Sequence, residues 1–421
     1  MRRHRAIFDR KSERGVVILL VAIFLLFVVG AMAVLAIDVV TFYTARSEAQ
    51  LAADGAALAA ARVLASSGMT SNPIDALLVS NAESLASTVA IQVALQNKVG
   101  GRLLNAGEVN PPVFSGSLLG SGSDPRVTVQ VTRNDLPTFF ARIWGRTQVT
   151  VSATATAEAY NPSGLTPSVV GGPPVAPSCV KPWLLPNMDP RPGNTNTIFD
   201  ATSGVITANP NTLLGWSDPT GIFFSRCTNC TGPPAPPNQW QYYPGDPANF
   251  PAPTQALPAC SAGFSDYQKS IAGCVETLIA CNSMVNIDQG TNANRDQETV
   301  DSVNCLTHSL ASKGDTVDTA IGLSPPFQFL AGDDNPVANA RGKDVFVSDS
   351  LVTVPVFDST TVSGTVHVIG FVQLFLNPDG LVAPGPGIKS TVINLAGCGT
   401  AATGQPILGN SSSPVAVRLV R

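Results

Sequence analysis

Charge is what this chain has least of. Only 13% of its 421 residues are Asp, Glu, Lys or Arg, about half the roughly 25% of an ordinary soluble domain. Surface polarity must come from Ser, Thr, Asn and backbone amides, and nucleic-acid binding, which needs clustered cations to displace counterions, is excluded. Histidine is also scarce: His4, His308 and His367 are the three. The chain has no Gly-x-Ser-x-Gly elbow, no His-Glu-x-x-His helix and no phosphate loop, since Gly342-Lys343-Asp344 lacks both the upstream glycine and the following hydroxyl. These absences point away from an enzyme, and no cofactor is implied.

The few cations are unevenly placed. Arg2, Arg3, Arg5, Arg10, Lys11 and Arg14 stand against only Asp9 and Glu13 in residues 1–15. They precede an uncharged apolar run from Val16 to Ile37. Twenty-two residues at about 1.5 Å each span roughly 33 Å as a helix, which matches a hydrocarbon core of about 30 Å. The run is apolar all round, unlike a surface helix of a soluble domain, and is longer than the apolar part of a cleaved leader, although Ala31-Met32-Ala33 offers small residues. Residues 16–37, bounded by Gly15 and Asp38, are expected to be a transmembrane anchor. The cationic flank places the N-terminus in the cytoplasm and everything from Asp38 onward outside.

Beyond the anchor the chain is rich in alanine through residue 65, the best helix former. A helix is expected to leave the membrane directly. Ala45, Ala49, Ala52, Ala56, Ala59 and Val63 recur at steps of four and three, a small-residue seam that would admit a partner helix or pack on its own domain. A second helix is expected over 80–106, ending near Gly100-Gly101. Period-two alternation in Val127-Thr128-Val129-Gln130-Val131 and Val149-Thr150-Val151-Ser152 predicts two strands. Between them Pro137 opens an aromatic helical turn, Thr138 to Trp144, stopped by Gly145.

Residues 161–260 hold 20 of the 34 prolines, a density that speaks against long helices and interior strands. A Pro/Gly linker over 161–178 is expected to lead into loops with small cores at Trp183, Trp216 and Trp240. Helical spacing returns over about 265–310, residues 345–376 are β-rich, and the final segment has too little periodicity to assign.

All eight cysteines, Cys179, Cys227, Cys230, Cys260, Cys274, Cys281, Cys305 and Cys398, lie beyond the anchor, so an oxidising compartment would make them disulfides. Cys227-Thr228-Asn229-Cys230 is half a zinc site without a matching half, and the prolines after it do not form the helix start a redox pair needs. Asp288, Gly290, Asn292, Asn294, Asp296 and Glu298 place oxygen groups at alternate positions. Calcium would require Gly and Glu where Ala293 and Thr299 stand, so a solvated loop is the better reading and no metal is expected.

Three stretches carry a resemblance: Arg14-Gly15-Val16-Val17, Ala36-Ile37-Asp38-Val39, and Ala49-Gln50-Leu51-Ala52-Ala53-Asp54-Gly55 through Arg62. Together they resemble the TadE/TadG-like N-terminal region of Flp pilus-assembly (tight-adherence) proteins, and the likeness continues more loosely to about residue 160. It implies a bacterial inner-membrane protein with an external body that works in pilus assembly without catalysis. Its partners would be other pilus-assembly proteins, minor pilins or copies of itself. Prepilin processing is not implied, because Leu20 stands where a Glu would follow the cleavage glycine. A von Willebrand A domain is not implied either, since Asp358-Ser359-Thr360-Thr361 misses both hydroxyl positions.

The expected architecture is α+β. A basic cytoplasmic head (1–15), an anchor (16–37), a TadE/TadG-like unit (38–160), a linker (161–178) and a Cys-containing exterior (179–421) follow in order. An anchored metal-dependent hydrolase using Asp288, Asp296, Glu298 and His308, or a surface adhesin, would be the alternatives.

Overall fold

The computed structural model describes residues 11–116, 124–164, 171–191, 193–216, 224–227, 240–288, 294–308, 314, 316–317, 325–333, 335, 338–344, 348–360, 362–382, 387–409 and 413–420. Residues 1–10 of the basic head, Cys230, the middle of the oxygen-rich loop and Val345-Phe346-Val347 lie outside them. The architecture is α+β, as composition and patterning lead one to expect.

Helix α1 runs unbroken over Lys11–Ser66, 56 residues and about 84 Å at 1.5 Å per residue. From Val16 to Ile37 its large apolar side chains are exposed, Leu26 and Phe27 by about three-quarters of their surface. Beyond Asp38 the same helix changes character: Ala45, Ala49, Ala52 and Ala56 are fully buried, Val63 nearly so, and Ala59 half-buried. The helix stops at Ser66, and Gly68 turns the chain at φ 79°. A side chain there would stand 2.8 Å from the Ile393 carbonyl oxygen, so only glycine fits without a shift.

Helix α2 is Ala76–Leu95, shorter than expected at its C-terminal end. Residues that helical spacing assigned to it instead form a tight hairpin, Lys98–Val99 against Arg102–Leu103. Gly100 and Gly101 have φ of 58° and 87°, left-handed values that a two-residue hairpin turn needs and a helix forbids.

The main strands are β1 (Val113–Ser115), β2 (Arg126–Pro137), β3 (Gln148–Tyr160), β4 (Trp183–Pro186), β5 (Phe224–Arg226), β6 (Trp240–Pro244), β7 (Met284–Asn286), β8 (Leu351–Phe357), β9 (Thr365–Val382), β10 (Gly387–Gly397) and β11 (Ala416–Val420). Helices α3 (Asp266–Ala272) and α4 (Arg295–Leu306) lie between β6 and β8 in sequence. One sheet has the order β11-β3-β2-β1 and a second the order β7-β9-β8-β4-β6-β5-β10. In the second, β10 also pairs with β9, so six strands form a closed ring of pairings.

The chain divides into two compact units that are discontinuous in sequence. One gathers the described residues up to Ala56 with Ile91–Pro112 and Val129–Ala155; the other gathers Ala57–Ala90, Val113–Thr128 and Thr156 onward. These do not follow the sequential division at 160 and 178.

In the second unit β4 and β8 of the seven-stranded sheet are buried on both faces. Val352, Val354, Val356, Val372, Leu374 and Trp183 face a core completed by Tyr267 and Ile271 of α3 and Val303 and Leu306 of α4. Leu184, Phe357, Phe371 and Tyr243 face another with Tyr160 and Phe250. Two-sided burial accounts for the near-continuous apolar runs of β8 and β9, which alternation alone would not produce.

Three expectations are corrected here. The proline-dense segment does supply interior strands: β4 and β6 are neighbours inside the ring, and they tolerate proline because Pro186 and Pro244 are the last residues of short strands. The described start of the expected 161–178 linker is packed rather than free, since Asn161 and Ser163 are buried and bond to the backbone of Leu395 and Gly397. The unassigned final segment holds β10 and β11, and β11 pairs with β3 through Ala416 opposite Tyr160. Of the expected small cores, Trp183 and Trp240 are fully buried in the main one, with Trp216 packed against it.

Three disulfides join Cys179 to Cys274, Cys260 to Cys305 and Cys281 to Cys398, and Cys227 is also oxidised. The longest closes a loop of 117 residues, for which chain entropy in the unfolded state is worth roughly 4–5 kcal/mol. Peptide mapping of the alkylated, non-reduced protein is expected to recover these three links and no alkylated cysteine; a mapped zinc-protectable thiol pair would contradict the assignment.

Candidate functional site

The first charged residue after Arg14 is Asp38, and its carboxylate is used. Asp38 is buried and accepts three backbone N–H bonds, from Phe139 at 2.7 Å, Phe140 at 2.7 Å and Ala141 at 3.1 Å. These donors open the 3-10 turn Ala141–Trp144, which Gly145 ends at φ 81°. Free N–H groups at a helical start favour an anion, and here the anion comes from a distant point in the sequence. Desolvation pushes the Asp38 carboxyl up, but the three N–H bonds outweigh it and hold the group below its ordinary value.

Further along α1, Glu48 accepts the Gly100 N–H at 2.6 Å, and Gln50 donates to the Thr154 carbonyl at 3.3 Å. An ion cluster lies in the same unit. Arg102 pairs with Glu108 at 2.6 Å and Asp135 at 2.7 Å, and Asp135 also takes Arg133 at 2.6 Å. Arg133 is buried and reaches the Val99 carbonyl. The bond to Arg102 lowers the Glu108 carboxyl, and those to Arg102 and Arg133 lower that of Asp135. Helix, hairpin and turn are thus joined by carboxylates seated on backbone amides and arginines.

A family model described as TadE/G-like Flp pilus-assembly matches residues 15–63. A second, described as Tad-like Flp pilus-assembly, matches residues 44–157. Residues 15–157 are a Tad-type pilus-assembly region. No curated protein and no solved structure matches the chain. The Tad region opens at Gly15, one residue before the apolar run, and holds Asp38, the alanine seam, the hairpin and the turn.

The seam residues of the Tad region are largely buried against their own chain. Close approach of small residues here serves packing within the chain, and Ala59 is the partly exposed member of the seam.

The carboxylates of the hydrolase alternative are engaged elsewhere. Asp288 and Glu298 both bind Arg295, at 2.9 and 2.7 Å, and Asp296 binds Arg226 at 2.7 Å. Arg295 also lies over the Tyr267 ring at 4.5 Å, while His308 contacts Asp349 at 3.3 Å. Among the described residues no three His, Cys, Asp or Glu converge on a metal position.

Sequence reasoning missed Lys181. It is buried beside a cavity of about 360 Å³ lined by Arg62, the Cys179–Cys274 disulfide and Asp349. Its ammonium donates to the carbonyls of Ile271 at 2.7 Å and Gly273 at 2.6 Å, which marks it as a backbone tie. Burial pushes the ammonium down to about 8, with Asp349 pulling the other way. The unpaired look of Lys181-Pro182 in sequence carries no signal for this, because the carbonyls it serves are 90 residues away.

Two outcomes are expected. In Asp38→Ala, the amides of residues 139–141 should exchange with solvent at least roughly tenfold faster, as for loss of more than about 1.4 kcal/mol, while amides of β8 and β9 stay protected; unchanged exchange at 139–141 would contradict the clasp. For Lys181, an unfolded lysine keeps its proton to about pH 10.5 and the folded one only to about 8, so unfolding takes up a proton between these values and stability rises with pH. The gain approaches roughly 3 kcal/mol over the full window. Urea midpoints of the detergent-solubilised protein between pH 8 and 10 should therefore increase and should be flat in Lys181→Met; a fall in the wild type would refute this reading.

Proposed function

We propose that the protein is a membrane-anchored, non-enzymatic assembly or scaffold component of a Flp-type pilus or of its associated secretion machinery. The observation that carries this reading is the Tad region at residues 15–157, which opens on a helix that is apolar all round and largely exposed from Val16 to Ile37. Gly15–Ser66 contains a span long and apolar enough to cross a membrane. The charge flanks support a cytoplasmic N-terminus in the inner membrane with the disulfide-bearing body outside. Ion pairing of Asp288, Asp296 and Glu298 favours scaffold over hydrolase. The machinery's minor pilins or other copies of this chain are its expected partners, and contact in the membrane would use the exposed half of α1 rather than the buried alanine face.

Deleting the gene in the source bacterium should remove pilin from the sheared surface fraction while leaving the cellular pilin pool intact, and a complementing copy should restore it. Normal surface pilin in the deletion strain would overturn the assembly role.

A further inference from the structure

The clasp at Asp38 fixes where the 138–146 turn lies along α1. Asp38 directly follows the apolar run, so the turn bonded to its carboxylate stands at the level where the helix leaves the hydrocarbon. The turn is unlike an ordinary solvent loop: Phe139 is 57% exposed and Ile143 70%, and Arg142 and Arg146 are exposed beside them. The helix surface at the same level matches it. Val39, Val40 and Tyr43 are 57%, 64% and 75% exposed, and they lie about 3–9 Å beyond Ile37 along the axis at 1.5 Å per residue. The headgroup layer on each side of a bilayer is roughly 5–8 Å deep, so Val39 and Val40 fall within it, Tyr43 stands at its outer margin, and the turn is held at the same level by Asp38.

Resting on the membrane-anchor reading above, we propose that the 138–146 turn is an interfacial element. It lays Phe139 and Ile143 onto the outer boundary of the bilayer and sets Arg142 and Arg146 on lipid phosphates. Apolar side chains flanked by arginines are what an interfacial site needs, the former to enter the acyl boundary and the latter to extend to the headgroups. Tyr43 on α1 would add an aromatic contact at the same depth. The turn and the helix then touch the bilayer at two separated points, and the carboxylate of Asp38 holds those points together.

The test uses the full chain reconstituted in vesicles of phosphatidylethanolamine and phosphatidylglycerol, with a single bimane label on Phe139→Cys, Ile143→Cys, Val29→Cys or Asn110→Cys. Lipids brominated near the headgroup end of their acyl chains should quench most of the signal at 139 and 143, lipids brominated mid-chain should quench at 29, and neither should quench at 110. Adding Asp38→Ala should cut quenching at 139 while leaving position 29 unchanged. Replacing both Arg142 and Arg146 by Gln should weaken it in these anionic vesicles. Quenching at 29 with none at 139 or 143 would overturn the interfacial proposal and leave the anchor standing. Loss of quenching at 29 as well would overturn the anchor itself. Labels at 139 and 143 that are shielded from aqueous iodide yet unquenched by lipid would mean that protein covers the turn, which also overturns it.

Discussion

One unbroken helix has to satisfy two different surroundings, and this constraint organises the Tad region. Between Val16 and Ile37 α1 is apolar all round and largely uncovered; from Ala45 one face is largely alanine and mostly enclosed. The helix is continuous across the two halves. On the enclosed face the side chains shrink to alanine, where a bulky residue would hold its cover away, and charged residues, absent from 16–37, return from Asp38 onward. Asp38 sits at the changeover, where a carboxylate exposed to hydrocarbon would be costly. It avoids that cost by turning its charge onto three amide donors.

The second unit solves a different problem. With so few charged residues, its polar surface is weakly solvated, and its strands carry apolar residues on both faces. A sheet of that kind would be hazardous with open edges. The ring of pairings from β9 back to β10 leaves none along that circuit, and the disulfides restrain long loops that proline-rich sequence cannot order through helix or strand. Several polar groups inside have charged or amide partners. Glu158 is buried between Arg126 at 2.9 Å and Arg418 at 2.6 Å. Asn394 donates to the Ala65 carbonyl at 2.5 Å and accepts from Ser71.

Short-range chemistry was legible in the sequence; long-range chemistry was not. The apolar run, the alanine helix, the alternation in β2 and β3 and the Pro137-to-Gly145 turn each rest on neighbours in the chain, and each appears where its residues predict. Leu103 and Leu104 continue the apolar spacing of the second helix, yet α2 ends at Leu95 and the two glycines with positive φ turn the hairpin that follows it. Interior strands were missed in the proline-rich stretch because a terminal proline and a mid-strand proline look alike in composition. The ring was invisible because its members are drawn from residues 183 to 397, and no local period reports such pairing. For the site, Asp38 was marked only as the end of an apolar run; its partners lie about a hundred residues away.

The ring of pairings also has an order in time. A chain exported from its N-terminal end presents the Tad region first, then β4 and β6, and only last the strand that completes the circuit. Until residue 397 has crossed, β9 lacks one neighbour and β5 another, and the Cys281–Cys398 bridge has no second sulfur. The strand at 416–420, whose Arg418 reaches a carboxylate 260 residues earlier, comes later still. Contacts of such separation are slow to form, and their unfinished edges attract other chains. On the proposed topology, the body stays open to misassembly until these last strands have arrived.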